Sequence, residues 1–289
     1  ESLATTNEWT PRLALGQSWR ENRRQVFSLM MTRDTAHTAP RVIVKVGSSS
    51  ISGDREHQMS ELVDALAAWQ QAGSEVILVS SGAIAVGAPF LKLGDRPQDL
   101  ATQQAAAAVG QNLLMGRYQA LFEKFSIIAG QVLLTVGDME NGTHRTNALR
   151  TIERLLGLGI IPIVNENDTV ATQEIRFGDN DRLAALVSEL VSADLLVLLS
   201  DVDALYTHPP MDPQAVKIDT VPFGDPLEGV ELGGARVNSV ATGGAVTKVS
   251  AAKVATAAGI PTLLSATESL GALVAGETVG TWFEPADLH

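Results

Sequence analysis

The sequence predicts an α/β fold in which a mainly parallel sheet is covered by helices on both faces. From Arg41 onward, short apolar runs rich in β-branched residues alternate with amphipathic helical segments. This alternation is typical of parallel sheets, because each crossover places a helix on one face of the sheet. Of the 289 residues, 45% are hydrophobic, 25 are glycine and only 4% of the chain is aromatic. This composition favours tightly packed helix-on-sheet layers over a β-sandwich.

The first half of the chain contains four predicted strands, each a short apolar run, at 42–46, 76–79, 127–135 and 160–164. The intervening helices show helical spacing of apolar residues, as with Met59, Leu62 and Leu66. Gly73 can end this first helix. A long helix rich in alanine and glutamine is predicted at about 99–123, and a further helix contains Leu149, Ile152 and Leu156.

The second half repeats the alternation, with helices at 183–190 and 246–257 and strands at 195–199 and 261–264. Residues 201–244 contain five prolines and predict loops. We expect one compact unit of two lobes, 41–192 and 193–286. Residues 1–40 lack a clear periodicity and are expected to be an N-terminal extension, either disordered or foreign to the natural protein.

Charge and residue usage exclude several classes of function. A formal net charge of −12 without a basic stripe argues against nucleic-acid binding, which needs clustered Lys and Arg. The chain has no cysteine, which excludes disulfides, zinc–thiolate sites and thiol nucleophiles. Its five histidines lack the spacing of metal ligands, and no apolar run approaches the ~18 residues of a membrane span. Acidic residues in 1–40 argue against a transit peptide, so the cytoplasm is the expected compartment.

Two polar segments follow the first and second strands, at the edge where parallel sheets bind ligands. Lys45 lies within a buried strand and is followed by Gly47 and three serines, which can donate hydrogen bonds to a phosphate. The alternative is a lysine whose ammonium reaches water at the strand end. Ser81 and Gly82 end the second strand and suit a carboxylate or a phosphate, although a simple helix N-cap is the commoner explanation for an isolated Ser-Gly.

Three further polar segments occur at predicted strand or helix ends. Residues 165–168, Asn-Glu-Asn-Asp, offer more hydrogen-bonding side chains than a turn requires and could hold an amino acid, although Asx-rich turns are common. Asp179, Asn180 and Asp181 open a helix; one acid suits the cap, and another could orient lysines or help hold Mg²⁺. Residues 242–248, Thr-Gly-Gly-Ala-Val-Thr-Lys, form a glycine loop whose lysine opposes the helix dipole unless an anion is near. No Walker A motif, G-x-G-x-x-G or G-x-S-x-G is present.

With these motifs in view, the chain resembles the amino acid kinase family, and within it the glutamate 5-kinases. The resemblance covers about 41–284 and is carried by VIVKVGSSS (42–50), VSSGAIAVG (79–87), IVNENDTVAT (163–172), IRFGDNDRLAALV (175–187) and TGGAVTK (242–248). GQVLLT (130–135) and LLSDVDALYT (198–207) add to it. SSGAIA, NENDTVAT and FGDNDRL in this order are specific to glutamate 5-kinases.

The resemblance implies a three-layer αβα sandwich that transfers a phosphoryl group from ATP to the side-chain carboxylate of L-glutamate, with Mg²⁺, at the start of proline biosynthesis. It implies that 41–192 binds glutamate and that 193–286 binds the nucleotide. Lys45, Lys248 and Asp181 would be catalytic, the aspartate orienting both lysines. Glutamate would be bound by Ser81, Asp168 and Asn180. ATP would be bound by Lys45, Gly47, Ser200, Asp201, Thr242, Gly243, Gly244, Ala245, Val246, Thr247 and Lys248.

The sequence departs from the family pattern at Ala204, Pro209, Ala241 and Ala245, all on the nucleotide side. Many bacterial relatives carry a C-terminal RNA-binding-like domain, and none is expected in this chain. The family also suggests feedback inhibition by proline and a homo-oligomer, either a dimer or a tetramer. Two rival interpretations stay open: a kinase for aspartate or N-acetylglutamate, and a non-catalytic amino-acid sensor that kept the fold.

Overall fold

A single eight-stranded sheet forms the centre of the protein, in the order β3-β4-β2-β1-β5-β9-β10-β8. In this computed structural model, the residues described are 31–51, 56–92, 99–171, 180–232 and 244–287. The strands of the sheet are β1 (Arg41–Val46), β2 (Glu75–Ser80), β3 (Ala129–Leu134), β4 (Ile161–Glu166), β5 (Leu195–Ser200), β8 (Thr220–Val221), β9 (Thr262–Ala266) and β10 (Thr281–Phe283). Within it, only the pair of β9 and β10 is antiparallel. Two further short strands, β6 (Leu205–Tyr206) and β7 (Lys217–Ile218), pair with each other.

The described helices are α1 (Glu56–Gln71), α2 (Ala83–Gly87), α3 (Leu100–Phe122), α4 (Val136–Glu140), α5 (Gly142–Gly157), α6 (Asn180–Leu190), α7 (Ala245–Ala257) and α8 (Leu270–Val274). None of them combines the length and the apolar character needed to cross a membrane.

Two apolar clusters, one on each face of the sheet, make up the core. On one face, Val42, Val44 and Val46 of β1 belong to the same cluster as apolar residues of α1, α3 and α8. On the other face, Ile43 belongs to the cluster that contains residues of α5, α6 and α7. All six residues of β1 are buried, as expected for a central strand that is covered on both faces. The three-layer αβα architecture predicted from the sequence is confirmed.

The strand order divides the sheet into two halves along the chain. The strands β3, β4, β2 and β1 come from residues 41–166, and β5, β9, β10 and β8 come from residues 195–283. The two halves of the sheet meet where β1 pairs with β5, from Val42 opposite Leu195 to Lys45 opposite Leu198. The carboxyl ends of β1, β2, β4 and β5 therefore lie at one edge, and that edge carries the predicted site residues.

The predicted long strands and helices are present, with bounds that differ by a few residues. The strand predicted at 127–135 is shorter, Ala129–Leu134, and the helix predicted at 183–190 spans Asn180–Leu190 in the described part of the chain. The short strands β6, β7, β8 and β10 were not predicted. Each has only two or three residues, too few for a local pattern of apolar residues to mark it as a strand.

Residues 31–40, which the sequence assigned to the extension, pack against the fold. A short 3₁₀ helix, Arg33–Thr38, buries Ala36, and Ala39 is buried next to it. The guanidinium of Arg33 donates to the carbonyl oxygen of Gly280 at 2.7 Å, and the indole of Trp69 donates to the carbonyl of His37 at 2.7 Å. Residues 1–30 lie outside the described part of the chain.

The short helix α2 crosses α3 at two glycines. A Cβ atom on Gly110 would lie 1.7 Å from the carbonyl oxygen of Ala83, and one on Gly87 would lie 2.0 Å from that of Ala106. Such distances leave no room for a side chain at either position. The backbones of the two helices are therefore in direct contact, and this contact fixes α2 at the carboxyl end of β2.

Candidate active site

Two lysines and one aspartate meet at the carboxyl edge of the sheet. Lys45 comes from the end of β1, Asp181 from the first turn of α6, and Lys248 from the first turn of α7. Oδ1 of Asp181 lies 2.5 Å from Nζ of Lys45, and its Oδ1 and Oδ2 lie 3.1 and 3.0 Å from Nζ of Lys248. The side chain of Asp181 is fully buried, and those of Lys45 and Lys248 are 2% and 4% exposed. The structure therefore brings together the three residues predicted to be catalytic.

Asp181 is held as a carboxylate by the two cations. Burial raises the pKa of Asp181, but the charges of Lys45 and Lys248 outweigh this effect and lower the pKa from 3.8 to about 2. The hydroxyl of Thr247 donates to Oδ2 of Asp181 at 3.0 Å and adds a further bond to the charged form. The group as a whole has two positive charges and one negative charge, so it retains an excess of positive charge facing the edge of the sheet.

Asp181 and Lys248 both lie in the first turn of a helix, where the helix dipole stabilises a negative charge and destabilises a positive one. An acid in the first turn of α6 interacts favourably with the positive end of the helix dipole. A lysine in the first turn of α7 interacts unfavourably with it, and Lys248 is also buried. The carboxylate of Asp181 offsets this cost in the structure. An anionic ligand at the same position would do so as well.

Ser81, Asn165 and Asn180 form a second cluster. This cluster is adjacent to the group of two lysines and one aspartate, because Asn180 directly precedes Asp181. Nδ2 of Asn180 lies 2.9 Å from Oγ of Ser81, 3.0 Å from the carbonyl oxygen of Ser80 and 2.7 Å from Oδ1 of Asn165, so its two N–H groups are shared among three acceptors. Gly82 follows with φ of +103°, a conformation that favours glycine. The turn thus reverses direction into α2 with Ser81 at the edge of the sheet.

Asp168 lies in the turn that follows β4. The turn is closed by a hydrogen bond from the backbone N–H of Asn167 to the carbonyl of Leu134 at 2.8 Å, and by one from the Thr169 hydroxyl to Oδ1 of Asn167 at 2.6 Å. Asp168 is half-buried there. Of the residues predicted to bind glutamate, Ser81 and Asn180 are in direct contact, whereas Asp168 is at the same edge on the neighbouring turn.

A cavity of about 300 Å³ lies beside Lys248, between the carboxyl end of β5 and the start of α7. Five of the residues predicted to bind ATP line it: Ser200, Asp201, Gly244, Ala245 and Lys248. Val246 is 52% exposed, and Thr247 bonds to Asp181 instead. Gly47 directly follows the last residue of β1 and precedes a 3₁₀ turn, Ser48–Ser50. Thr242 and Gly243 lie outside the described residues.

Asp201 also connects the nucleotide half of the sheet with the turn after β1. Its Oδ1 accepts hydrogen bonds from the hydroxyls of Ser49 and Ser50, both at 3.3 Å. The loops after β1 and β5 are neighbours because these two strands pair directly. Asp201 therefore lines the cavity and, through its contact with the two serines, holds the serine turn that follows Lys45.

Sequence reasoning missed several residues of this region. Tyr206, His208, Glu231 and Leu232 line the cavity, in the segment that the prolines had marked as loops. Ala204 and Pro209, two of the departures from the family pattern, line it too. Gln111 of α3 was also missed, although it donates to Gln131 at 3.1 Å and accepts from Asn165 at 2.8 Å. The sequence did contain a clue to Gln111, because helical spacing places this glutamine on the same face as the apolar residues Ala107, Leu114 and Phe122.

The chain is similar in sequence to bacterial enzymes over most of its length. It is 63% identical to the glutamate 5-kinase of Clavibacter michiganensis over 248 residues, which are 86% of this chain and 95% of that protein. It is 62% identical to the glutamate 5-kinase of Leifsonia xyli, over 88% of this chain and 94% of that one. The glutamate 5-kinase of Salinispora arenicola is 54% identical over 88% of this chain and 70% of its own length.

Solved structures with low sequence identity share the fold. A carbamate kinase from Giardia lamblia, bound to AMP-PNP, superimposes with a TM-score of 0.63 at 17% identity, covering 86% of this chain and all of that one. A UMP kinase from Bacillus anthracis superimposes with a TM-score of 0.57 at 14% identity, covering 86% of this chain and 97% of that one. The model of the amino acid kinase family matches residues 40–264. The resemblance carried by the motifs is thus confirmed, and the chain belongs to the amino acid kinase family.

Proposed function

We propose that this protein is a glutamate 5-kinase, which transfers the γ-phosphoryl group of ATP to the side-chain carboxylate of L-glutamate and forms γ-glutamyl phosphate, the first step of proline biosynthesis. The observation that carries the proposal is the buried group in which Asp181 contacts both Lys45 and Lys248. This group lies between the Ser81–Asn180 cluster and the cavity lined by Asp201. The 62–63% identity to proteins named glutamate 5-kinase supports the choice of substrate.

The chemistry needs cations and positioning rather than a general base. A glutamate side chain is already a carboxylate at neutral pH, so its oxygen can attack phosphorus without losing a proton. In the transition state, negative charge is spread over the three equatorial oxygens of the phosphoryl group. Lys45 and Lys248 would stabilise that charge from the two halves of the sheet. Asp181 would hold the two ammonium groups at fixed positions, so little reorganisation is needed during the reaction.

Mg²⁺ fits this site as part of the nucleotide complex. Among the described residues, no group of three or more histidines and carboxylates is arranged to hold a metal ion. This suits Mg²⁺, which keeps several waters and binds through one or two carboxylates plus the phosphates of the substrate. Asp201, on the cavity wall, would supply a carboxylate of the protein. The metal would neutralise charge on the phosphate oxygens.

Acceptor recognition would fall to Ser81, Asp168 and Asn180. Their amide, hydroxyl and carboxylate groups match the ammonium and the α-carboxylate of a free amino acid. The division of the sheet supports two functional lobes, with 41–192 binding glutamate and 193–286 binding ATP, including Thr242 and Gly243 of the glycine loop. Inhibition by proline at the acceptor site, assembly into a dimer or tetramer and a cytoplasmic location complete the proposal.

The experiment is a trapping assay with ATP, Mg²⁺ and hydroxylamine, which converts acyl phosphates to hydroxamates. We expect hydroxamate from glutamate, and little from aspartate or N-acetylglutamate. Replacing Lys248 by alanine should lower kcat by about 10²–10³-fold, the usual cost of losing one charge-stabilising group. The matched control is Lys253→Ala, which removes an exposed lysine from the same helix and should leave kcat unchanged.

Two outcomes contradict the proposal. Hydroxamate from aspartate or N-acetylglutamate but not from glutamate would assign a different acceptor to the same site. A Lys248→Ala enzyme with the kcat of Lys253→Ala would remove the lysine from the mechanism. Millimolar proline added to the same assay should raise the KM for glutamate, and an unchanged KM would reject inhibition by proline.

A further inference from the structure

Helix α3 presents two buried polar side chains to the sheet, and neither is among the residues predicted to be catalytic or to bind a substrate. Gln111 and Tyr118 are seven residues apart, so they lie on one face of the helix, two turns from each other. Gln111 is 9% exposed and Tyr118 is fully buried. Leu114 and Phe122, on the same face, belong to the apolar core. Burying polar groups among apolar ones is costly unless each is hydrogen-bonded, and both of these side chains are.

Gln111 reaches the acceptor cluster through Asn165. Its Oε1 accepts from Nδ2 of Asn165 at 2.8 Å. Oδ1 of Asn165 accepts from the backbone N–H of Glu166 at 2.9 Å, and a backbone N–H can only donate. The orientation of the Asn165 amide is therefore fixed from both ends, and its Oδ1 faces Asn180, from which it accepts at 2.7 Å.

Tyr118 is connected to Asn180 through Ser80. Its hydroxyl lies 2.9 Å from Oγ of Ser80, and this buried contact holds the last residue of β2. The carbonyl oxygen of Ser80 accepts from Nδ2 of Asn180 at 3.0 Å. The two connections from α3 thus converge on one nitrogen atom, Nδ2 of Asn180.

This arrangement determines where the oxygen of Asn180 points. With Nδ2 directed at Ser80, Ser81 and Asn165, Oδ1 is directed away from them. Oδ1 of Asn180 is buried and, within the described part of the chain, accepts no hydrogen bond. A buried acceptor without a donor is costly, and a ligand that brings an N–H group removes this cost.

We propose that α3 is the platform that positions Asn180 for the acceptor, with Gln111 and Tyr118 as positioning residues that keep Oδ1 of Asn180 available to the ammonium group of an amino acid. The inference rests on the proposed function and deepens it, because it assigns selectivity for a free amino group to residues that do not touch the substrate. A chain of buried hydrogen bonds is suited to this task, since each bond restricts the next amide to one orientation.

The test measures steady-state kinetics of Gln111→Met and Tyr118→Phe with glutamate and with glutarate, which has the same two carboxylates and lacks the amino group. Both variants keep most of the side-chain volume. Each should raise the KM for glutamate about tenfold, the usual scale for leaving one buried polar group unsatisfied. The KM for ATP should change less than twofold, and the selectivity for glutamate over glutarate should fall by the same factor as the glutamate KM rises.

The matched control is Gln119→Met. Gln119 lies on the same helix, and its Oε1 accepts from the backbone N–H of Ala129, the first residue of β3, at 2.9 Å. Within the described residues, its side chain forms no hydrogen bond with Asn165 or Ser80. It should lower the melting temperature by a similar amount without changing the selectivity. Gln111→Glu retains an oxygen for Asn165 and should restore most of the affinity for glutamate that Gln111→Met loses.

The result that overturns the inference is a selectivity for glutamate over glutarate in Gln111→Met and Tyr118→Phe that equals that of Gln119→Met. If either variant fails to fold, the other decides the outcome, because each removes one of the two branches. A parent enzyme that does not phosphorylate glutamate at all would instead contradict the proposed function. The two failures are therefore distinguishable in one set of assays.

Discussion

Asp181 shows how one residue can organise a site that consists mostly of cations. A buried carboxylate alone would become protonated, and two buried ammonium groups alone would repel each other. Together they form a group in which Lys45 contacts Oδ1 of Asp181 and Lys248 contacts both of its carboxylate oxygens, all within 3.1 Å. The position of each ammonium is thus set by Asp181, and the three side chains together carry a net charge of +1.

We expect Asp181→Asn to lower kcat by about 10²-fold or more, because the lysines lose the charge that holds them in place. It should also lower the free energy of unfolding at pH 7 by about 3–5 kcal/mol, the usual cost of removing one partner of a buried ion pair. Steady-state kinetics and urea unfolding would measure the two effects.

The pH dependence of the unfolding free energy shows whether the loss in Asp181→Asn comes from the missing charge. The pKa of Asp181 is about 2 in the folded protein, below its ordinary value of 3.8. Its contribution to stability is therefore fully present above about pH 4 and is lost as the pH falls towards 2. The parent and Asp181→Asn should differ in unfolding free energy at pH 7 and converge in acid. A difference that stays constant from pH 7 to pH 3 would contradict this account.

At the level of single residues, the sequence predicted those whose chemistry is visible in a motif. Lys45 lies near the end of a strand and Asp181 and Lys248 open helices, so their positions marked them as candidates, and the resemblance to the amino acid kinase family implied their roles. Gln111 and Tyr118 were not predicted, because a glutamine and a tyrosine in a helix acquire a role only from the strand they face. That partner is set by tertiary packing, which no local pattern contains.

At the level of elements, the crossing of α2 and α3 connects the core to the acceptor cluster. The close approach at Gly87 and Gly110 holds α2, which directly follows Ser81 and Gly82. Gln111 is the next residue after Gly110, so the same turn of α3 that contacts α2 also bonds to Asn165. Any change that separates the two helices should therefore disturb the acceptor site as well as the core.

Gly110→Ala tests this connection. Its Cβ would overlap the backbone of α2, so we expect a loss of about 1–3 kcal/mol or more in unfolding free energy and a higher KM for glutamate. Gly116→Ala is the control on the same helix, where a Cβ would meet no atom within 4 Å. That variant should be more stable than the parent by about 0.5–1 kcal/mol, because alanine favours a helix. Equal stability of the two variants in urea unfolding would contradict the close contact.

At the level of the whole molecule, the edge of the sheet opposite the site is held together by a buried arginine. Arg41, at the amino end of β1, is fully buried. Its guanidinium lies 2.7 Å from Glu75 and 2.6 Å from Glu153, and it donates to the carbonyl of Val191 at 2.5 Å. Its backbone N–H donates to Asp194 at 2.8 Å. One side chain thus ties β1 to β2, α5 and the segment that enters β5, about 13 Å from Lys45 at the usual rise of a strand.

Arg41→Met should lower the unfolding free energy by about 3–5 kcal/mol, since it leaves partly buried carboxylates without their cation. The KM values for both substrates should stay within about twofold of the parent, because the substitution lies at the edge remote from the site. Arg145→Met removes a half-exposed pair with Glu189 at 2.9 Å and should cost less than about 1 kcal/mol. Equal losses in the two variants, measured by urea unfolding, would contradict the role assigned to Arg41.

The architecture as a whole was predictable because each long element carries its own signal. The alternation of buried strands and amphipathic helices implies a parallel sheet covered on both faces, and β1 to β5 and β9 follow that pattern. The strand order was not predictable in the same way. It depends on pairings such as β1 with β5, which join residues more than 150 positions apart in the chain.

The pairing of β1 with β5 also bears on how the chain folds as it leaves the ribosome. Strand β1 acquires β2 early, but its other edge is completed only by Leu195–Leu198. At translation speeds of about 5–20 residues per second, that edge waits roughly 8–30 seconds for its partner. During this time a strand with four apolar residues, Val42, Ile43, Val44 and Val46, has an unpaired edge, which is prone to pair with other chains. Nascent chains that pause before residue 195 should therefore depend on chaperones more than those that pause after it.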